Sequence, residues 1–243
     1  MATKKKAAVD SERRLSTGFP EIDNVLGGGL VLGNTILLGG LQGSGKTTLL
    51  LQSAAALASP KQQVVYATGE ITTEESHAHA RRLGAENKYV QLIGSPEGIF
   101  VEELVDSLSP RVKVLLVDSI QTCAHDSCSA DFGTPRQIAA VANYLTSFAK
   151  KKEVAVVIVS HITNRGHSAV PSTVKHLVDV ILRLDPHLIE MVLGQTPVRR
   201  VWIEGKSRQG RADLTAYLEM DNHGKIVPLS SRWRKVLNPK SKR

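Results

Sequence analysis

Cysteine is nearly missing from this 243-residue chain, which holds only Cys123 and Cys128. Two neighbouring thiols exclude a disulfide framework and agree with a reducing compartment. Long apolar runs are missing as well. No stretch approaches the ~20 residues needed to span a bilayer, and the opening Met1 to Lys6 lacks the apolar segment of a secretory signal. The expectation is a cytoplasmic chain that engages no membrane. Negative charge is the third shortage: 23 acidic residues face 31 lysines and arginines, for a formal net charge of +8. Part of that surplus lies at the two ends, in Lys4 to Lys6 and in Arg232, Arg234, Lys235, Lys240, Lys242 and Arg243. Such ends suit a polyanionic partner or plain solvent, and charge alone leaves both open.

What is present is enough apolar sequence, 42%, for one ordinary α/β core. The chain divides into a flexible basic arm (1–13), a core (14–230) and a basic C-terminal tail (231–243). The core is organised around Thr35 to Leu50, an apolar run that turns through glycines into a helix. Gly40, Gly45, Lys46 and Thr47 satisfy G-x-x-x-x-G-K-[ST]. In that pattern consecutive backbone N–H groups close around a phosphate, and the helix that follows points its positive end at the same anion. Gly43, Ser44 and Thr48 belong to the same cradle. Lys46 supplies a point charge to the β- and γ-oxygens, and the Thr47 hydroxyl a ligand for Mg²⁺. The spacing therefore predicts a site for a nucleoside triphosphate with Mg²⁺.

Upstream, Ser16 or Thr17 caps a short helix that ends at Gly27 to Gly29. Downstream, a helix runs from Thr47 to about Leu57 and a strand from Gln63 to Ala67, reaching Thr68-Gly69-Glu70. An acid just beyond the carboxyl end of such a strand lies where open α/β sheets place their ligands. Glu70 there either orients an attacking water or serves the capping box of the next helix, which begins at Thr72. A strand over Tyr89 to Ile93 and a helix over about Glu97 to Leu108 follow. Val112 to Val117 then runs into Asp118, an apolar strand ending in a carboxylate that can support Mg²⁺ through water. Cys123, His125 and Cys128 lack a second ligand pair and read as a loop with free thiols, not as zinc ligands. The small, polar stretch from Thr122 to Gly133 reads as a loop, and Thr134 caps a helix running to about Lys150.

Val154 to Val159 is another buried strand and ends at Ser160-His161. His161 can contact a γ-phosphate or simply hydrogen-bond at a strand end. A second glycine-containing loop follows, with Arg165 at its tip. From Val180 onward, runs at Val180–Leu184, Val198–Glu204, Leu214–Met220 and Lys225–Pro228 predict antiparallel strands added at the far edge of the sheet. Lys206 and Arg208 lie two apart on an extended segment and point the same way, as phosphate-seeking fingers or as an ordinary basic tip. Trp202 reads as core from the alternation of its strand. Trp233, between two arginines, is open to stacking on bases or packing on the sheet.

Several of these blocks together resemble one family, the bacterial RadA/Sms recombination ATPases of the RecA-like superfamily. They are Arg14-Leu-Ser-Thr-Gly18, Ile22-Asp23, Val25 to Leu30, the phosphate loop with Leu49 to Gln52, Tyr66 to Glu70, Asp118 to Thr122, and His161 to Thr163. The resemblance implies a RecA-like P-loop fold, with a mostly parallel sheet, helices on both faces and antiparallel strands at one edge. It also implies ATP hydrolysis with Mg²⁺ in a homo-oligomeric ring or filament whose ATP sites lie between subunits. It casts Glu70 as catalytic base, His161 as γ-phosphate sensor, and Lys206 with Arg208 as fingers into a neighbour's site, beside Lys46 and Asp118. Single-stranded or branched DNA is the implied partner, met by Arg136, Asn164, Arg165, Lys206 and Arg208. The family's four-cysteine zinc module and Lon-like domain have no counterpart here. Gln209 replaces an aromatic residue and Asn164 a lysine. Two other readings stay open: a KaiC-like ATP-driven oligomeric switch that binds a protein partner, and a DnaB-like replicative helicase subunit.

Overall fold

The computed structural model describes residues 13–162, 170–186, 198–209 and 212–237. In chain order the elements are β1 (Arg14–Leu15), α1 (Pro20–Val25), β2 (Leu30–Val31), β3 (Thr35–Gly40), α2 (Lys46–Leu57), β4 (Gln63–Thr68) and α3 (Thr73–Leu83). Next come β5 (Val90–Gly94), β6 (Ile99–Phe100), α4 (Val101–Asp106), β7 (Val112–Asp118), a 3₁₀ turn (Ile120–Thr122), β8 (Cys123–Ala124), α5 (Pro135–Lys152) and β9 (Ala155–His161). The chain closes with α6 (Ser172–Leu177), β10 (Val180–Pro186), β11 (Val198–Ser207), β12 (Thr215–Met220), β13 (Ile226–Pro228) and α7 (Ser231–Leu237).

Nine strands form the central sheet in the order β13-β12-β11-β10-β3-β9-β7-β4-β5. The six from β10 to β5 run parallel, and β11 to β13 are antiparallel additions. Because successive side chains on a strand point to opposite faces, each central strand feeds two cores. Val64, Tyr66, Val114 and Leu116 join α1, α2 and α3 on one face. Val65, Ala67, Leu115 and Val117 join α4, α5 and α6 on the other. Runs this apolar fit only a sheet covered on both sides. No described helix is long and apolar enough to cross a membrane.

Four sequence expectations change. The Val180 strand is not antiparallel: α6 carries the chain across the sheet, and β10 lies parallel to β3, beside the phosphate loop. The helix expected over 97–108 is shorter, because Ile99–Phe100 pairs with Cys123–Ala124 as a small parallel ladder. That ladder buries Cys123 and gives structure to the start of the expected loop. Trp202 alternates onto the face opposite the buried Val201 and Ile203, where Arg200 and Arg183 lie 4.3 and 5.6 Å from its ring. The basic tail begins as a helix, α7, and Trp233 is partly covered by Arg232 at 5.4 Å.

The antiparallel extension is tied back to α2 by one side chain. Gln52 donates from Nε2 to the carbonyl of Ile226 (3.1 Å) and accepts from its N–H (2.8 Å). Ile226 is buried, so Gln52→Ala strands both peptide groups away from water. We expect a loss of about 1–3 kcal/mol in denaturant unfolding, and a change inside experimental error would contradict this role for the clamp.

Candidate nucleotide site

The site is built where adjacent parallel strands end together. Gly40, the last residue of β3, is level with His161 of β9, and Thr68 of β4 is level with Asp118 of β7. These strand ends and the segments that leave them bring the functional groups to the same cleft, of about 790 Å³. The phosphate loop forms one wall. A Cβ at Gly40 would collide with the Leu184 carbonyl and with Ser44 Oγ, so β3 can turn here only without a side chain. Gly45 adopts φ 101° directly before α2, and a Cβ there would come within 2.7 Å of Met220.

Lys46 is only 5% exposed, and its ammonium donates to the loop's own carbonyls, Gly40 O (3.0 Å) and Leu41 O (2.8 Å). Burial lowers its pKa, against the pull of Asp118, Asp185 and Glu70. Thr47 Oγ1 donates to Asp118 Oδ2 at 2.7 Å, and the Tyr66 hydroxyl donates to the same oxygen at 3.0 Å. Asp118 is 2% exposed. Burial pushes its carboxyl pKa up, while the Thr47 and Tyr66 hydroxyls work in the opposite direction. A hydroxyl and a carboxylate side by side are hard oxygen donors, the set that Mg²⁺ accepts while keeping much of its water. The buried Ser44 Oγ has no protein partner and is free to turn toward a ligand oxygen. Glycine turn, buried ammonium, hydroxyl and carboxylate together fit a Mg²⁺-nucleotide.

On the far side of the cleft, His161 Nε2 donates to Glu70 Oε1 at 2.9 Å. This hydrogen bond holds the Glu70 carboxyl below its ordinary pKa, and partial burial opposes it. Two residues placed separately in sequence are thus one unit. Gly43, Thr48, Gln121 and Thr122 also line the cleft.

Three wall residues escaped the sequence reading: Arg82 from the last turn of α3, with Met220 and Gly224 from the antiparallel extension. No local pattern marks them, since they arrive by sheet topology. Arg199 of β11 also escapes local patterning: it braces the phosphate loop, donating from Nε to the Ser44 carbonyl at 3.0 Å.

Lys206 and Arg208 lie elsewhere. Lys206 Nζ donates to the Lys175 and His176 carbonyls (3.0 and 2.8 Å) at the end of α6. Arg208 donates to Asp179 Oδ1 (3.1 Å) and to His176 O (3.4 Å). They point the same way, as expected, yet Asp179 also holds the N–H of Thr35, the first residue of β3. The pair therefore sits at the amino end of the strand whose carboxyl end carries the phosphate loop, about 20 Å off at strand rise. Arg136 is exposed in the first turn of α5. Asn164 and Arg165 lie outside the described residues. No group of three or more metal-ligating side chains occurs among the described residues. Burial pushes the Cys123 thiol pKa up to about 12, which agrees with the free-thiol reading.

Residues 3–167 match the family model described as "AAA domain". The chain is 37% identical over 172 residues to "DNA repair protein RadA" of Haemophilus influenzae, covering 71% of this chain and 37% of that protein. It is 35% identical over 219 residues to the protein of the same name from Rickettsia typhi, covering 90% and 49%. It thus spans less than half the length of these relatives. Among solved structures, the RadB recombinase superposes with a TM-score of 0.62 at 23% identity, covering 89% of this chain and all of that one, which shows the fold.

The Glu70–His161 contact generates a test by titration. Removing the imidazole deletes the largest influence that lowers the Glu70 pKa and leaves burial opposed only by Ser119 and Lys46, so the pKa rises relative to the parent. In His161→Ala the Glu70 carboxyl, followed by carbon-detected NMR, is expected to titrate at higher pH than in the parent. An unchanged or lower midpoint would show that the histidine does not hold the carboxylate.

Proposed function

Because the chain belongs to the AAA-domain family and is a P-loop ATPase of RadA type and RecA-like fold, we propose that it is a DNA-dependent ATPase of recombination and repair. In this reading it remodels single-stranded or branched DNA and assembles head to tail, with each ATP site completed by a neighbour. The observation that carries the proposal is a separation. Lys46, Thr47, Glu70, Asp118 and His161 meet at the carboxyl ends of the parallel strands, while Lys206 and Arg208 are held at the amino end of β3. No copy can bring those cations to its own γ-phosphate without dismantling β10 and β11. A neighbour presenting its amino end can.

The residues divide the work as follows. Lys46 leaves the Gly40 and Leu41 carbonyls to neutralise β- and γ-oxygens. Thr47 and Asp118 would hold Mg²⁺, which would supply charge neutralisation to the phosphates when bound. Glu70, kept ionised by His161, orients water in line with the γ-phosphate and accepts its proton. His161 couples that carboxylate to the segment that follows β9. Loss of the γ-phosphate is thereby communicated to a loop proposed to contact DNA through Asn164 and Arg165. Arg136 extends the same surface from α5, and Lys206 with Arg208 contribute to DNA contact where they are free of a neighbour. The names of the relatives support DNA as partner, and the basic balance of the chain supports a phosphate backbone.

The decisive measurement is ATP hydrolysis at increasing protein concentration, with and without single-stranded DNA. Turnover per subunit is expected to rise with concentration and with DNA. Lys46→Ala should reduce it at least about 100-fold, consistent with loss of a charge-stabilising group. Lys206→Ala/Arg208→Ala should lose at least about tenfold and regain turnover when mixed with Lys46→Ala, whose fingers are intact. Affinity for DNA should fall steeply with added salt and fall again in Arg136→Ala/Arg165→Ala. Turnover that is flat with concentration and indifferent to DNA would sink the motor and favour a nucleotide-driven switch.

A further inference from the structure

Among the described residues, three large apolar side chains stand open to solvent: Phe100, Phe132 and Val236. The first two form one feature. Their rings meet edge-on at 5.8 Å, beside a hollow of about 430 Å³ lined by Ile93, Phe100 and Leu104 with Glu97 and Glu103. Neither glutamate forms an ion pair among the described residues, and no cation lines the hollow. It lies at the end of β5, an edge strand of the sheet.

The third belongs to α7, which follows β13 at the opposite edge. None of its residues is buried. Trp233, Val236 and Leu237 recur at i, i+3 and i+4 and share one face, flanked by Arg232, Arg234 and Lys235. A seven-residue helix whose apolar stripe is only half-covered at Trp233 and Leu237 and open at Val236 is marginal by itself, so the stripe calls for a partner.

We infer that α7 of one copy docks in the acidic, aromatic-edged hollow beside β5 of the next. Shape class and charge sign match: an apolar stripe with three cations meets an apolar floor with two unpaired carboxylates. A tryptophan between arginines has the composition of an interface anchor, and the surrounding charges steer it. The helix cannot serve its own hollow, which lies roughly 40 Å away across the sheet at normal strand spacing. A contact between different patches on identical chains is heterologous and propagates as a ring or filament. The carboxylates disfavour a nucleic-acid phosphate in the hollow, which selects a basic peptide segment. This inference extends the head-to-tail assembly proposed above by naming surfaces.

The test is charge exchange in the full chain, read by sedimentation velocity across a concentration series with a non-hydrolysable ATP analogue and Mg²⁺. Glu97→Lys/Glu103→Lys and Arg232→Glu/Arg234→Glu should each raise the half-assembly concentration at least tenfold. The four-substitution chain should return to within about threefold of the parent. Trp233→Ala should weaken assembly to a similar degree without altering charge. Nucleotide binding and melting temperature, unchanged throughout, show that each variant is folded. A parent that stays monomeric, either pair assembling like the parent, or a folded four-substitution chain that stays dispersed would overturn the inference. So would an arginine pair that loses DNA affinity while assembling normally. The finger reading fails separately: Lys206→Ala/Arg208→Ala turning over normally would remove it and leave this docking intact.

Discussion

One buried carboxylate oxygen, Asp118 Oδ2, receives two hydroxyls from two different parts of the chain: Thr47 from the first turn of α2 and Tyr66 from β4. Burial alone would drive this carboxyl toward its neutral form. The two donors oppose that, so the charge and the local geometry depend on each other. With the aspartate in place, α2 starts at a fixed distance from β7 and the lysine before Thr47 is drawn under the loop. Without its partners, a buried carboxylate would be left uncompensated. The start of α2 after the phosphate loop, β4 and β7 are thus locked by one acceptor.

Most of this arrangement was legible in the sequence, because it is encoded locally. The glycine pattern around Lys46, the apolar run ending at Asp118 and the capping box at Thr72 each specify a structure within a few residues. The parallel core followed from runs too apolar for a one-sided sheet. What escaped depends on distant segments meeting. Tyr66 reads as one more β-forming residue, and nothing nearby reveals that its hydroxyl reaches Asp118. The β6–β8 ladder joins two dipeptides too short to signal a strand. The direction of β10 is not legible locally, because strand runs carry no sign of parallel or antiparallel pairing and only the crossover through α6 decides it. Trp202 has the alternation of a core residue, but its register puts it on the face where arginines cover its ring.

Lys206 and Arg208 show how far spacing can carry a functional argument. Their separation predicts that they point the same way, and both reach the His176 carbonyl, but it says nothing about what they touch. In the single chain they hold the carbonyls at the end of α6, where positive charge complements exposed peptide dipoles. Arg208 also neutralises Asp179, which is buried and holds the first residue of β3. The same cations therefore stabilise the fold at rest. Any use of them on a neighbour's phosphate must compete with these contacts, which sets a threshold on how closely copies must approach.

The antiparallel extension has a consequence for how the protein comes into being. Ser44 is held by Arg199, Gly45 lies against Met220 and Ile226, and Gln52 is clamped on Ile226. The glycine loop is synthesised first, and its outer wall follows more than 150 residues later. During translation the nascent chain can fold its parallel strands while the nucleotide cleft still lacks one side. A chain that stops short of β11 to β13 therefore has the glycine signature without the finished cleft.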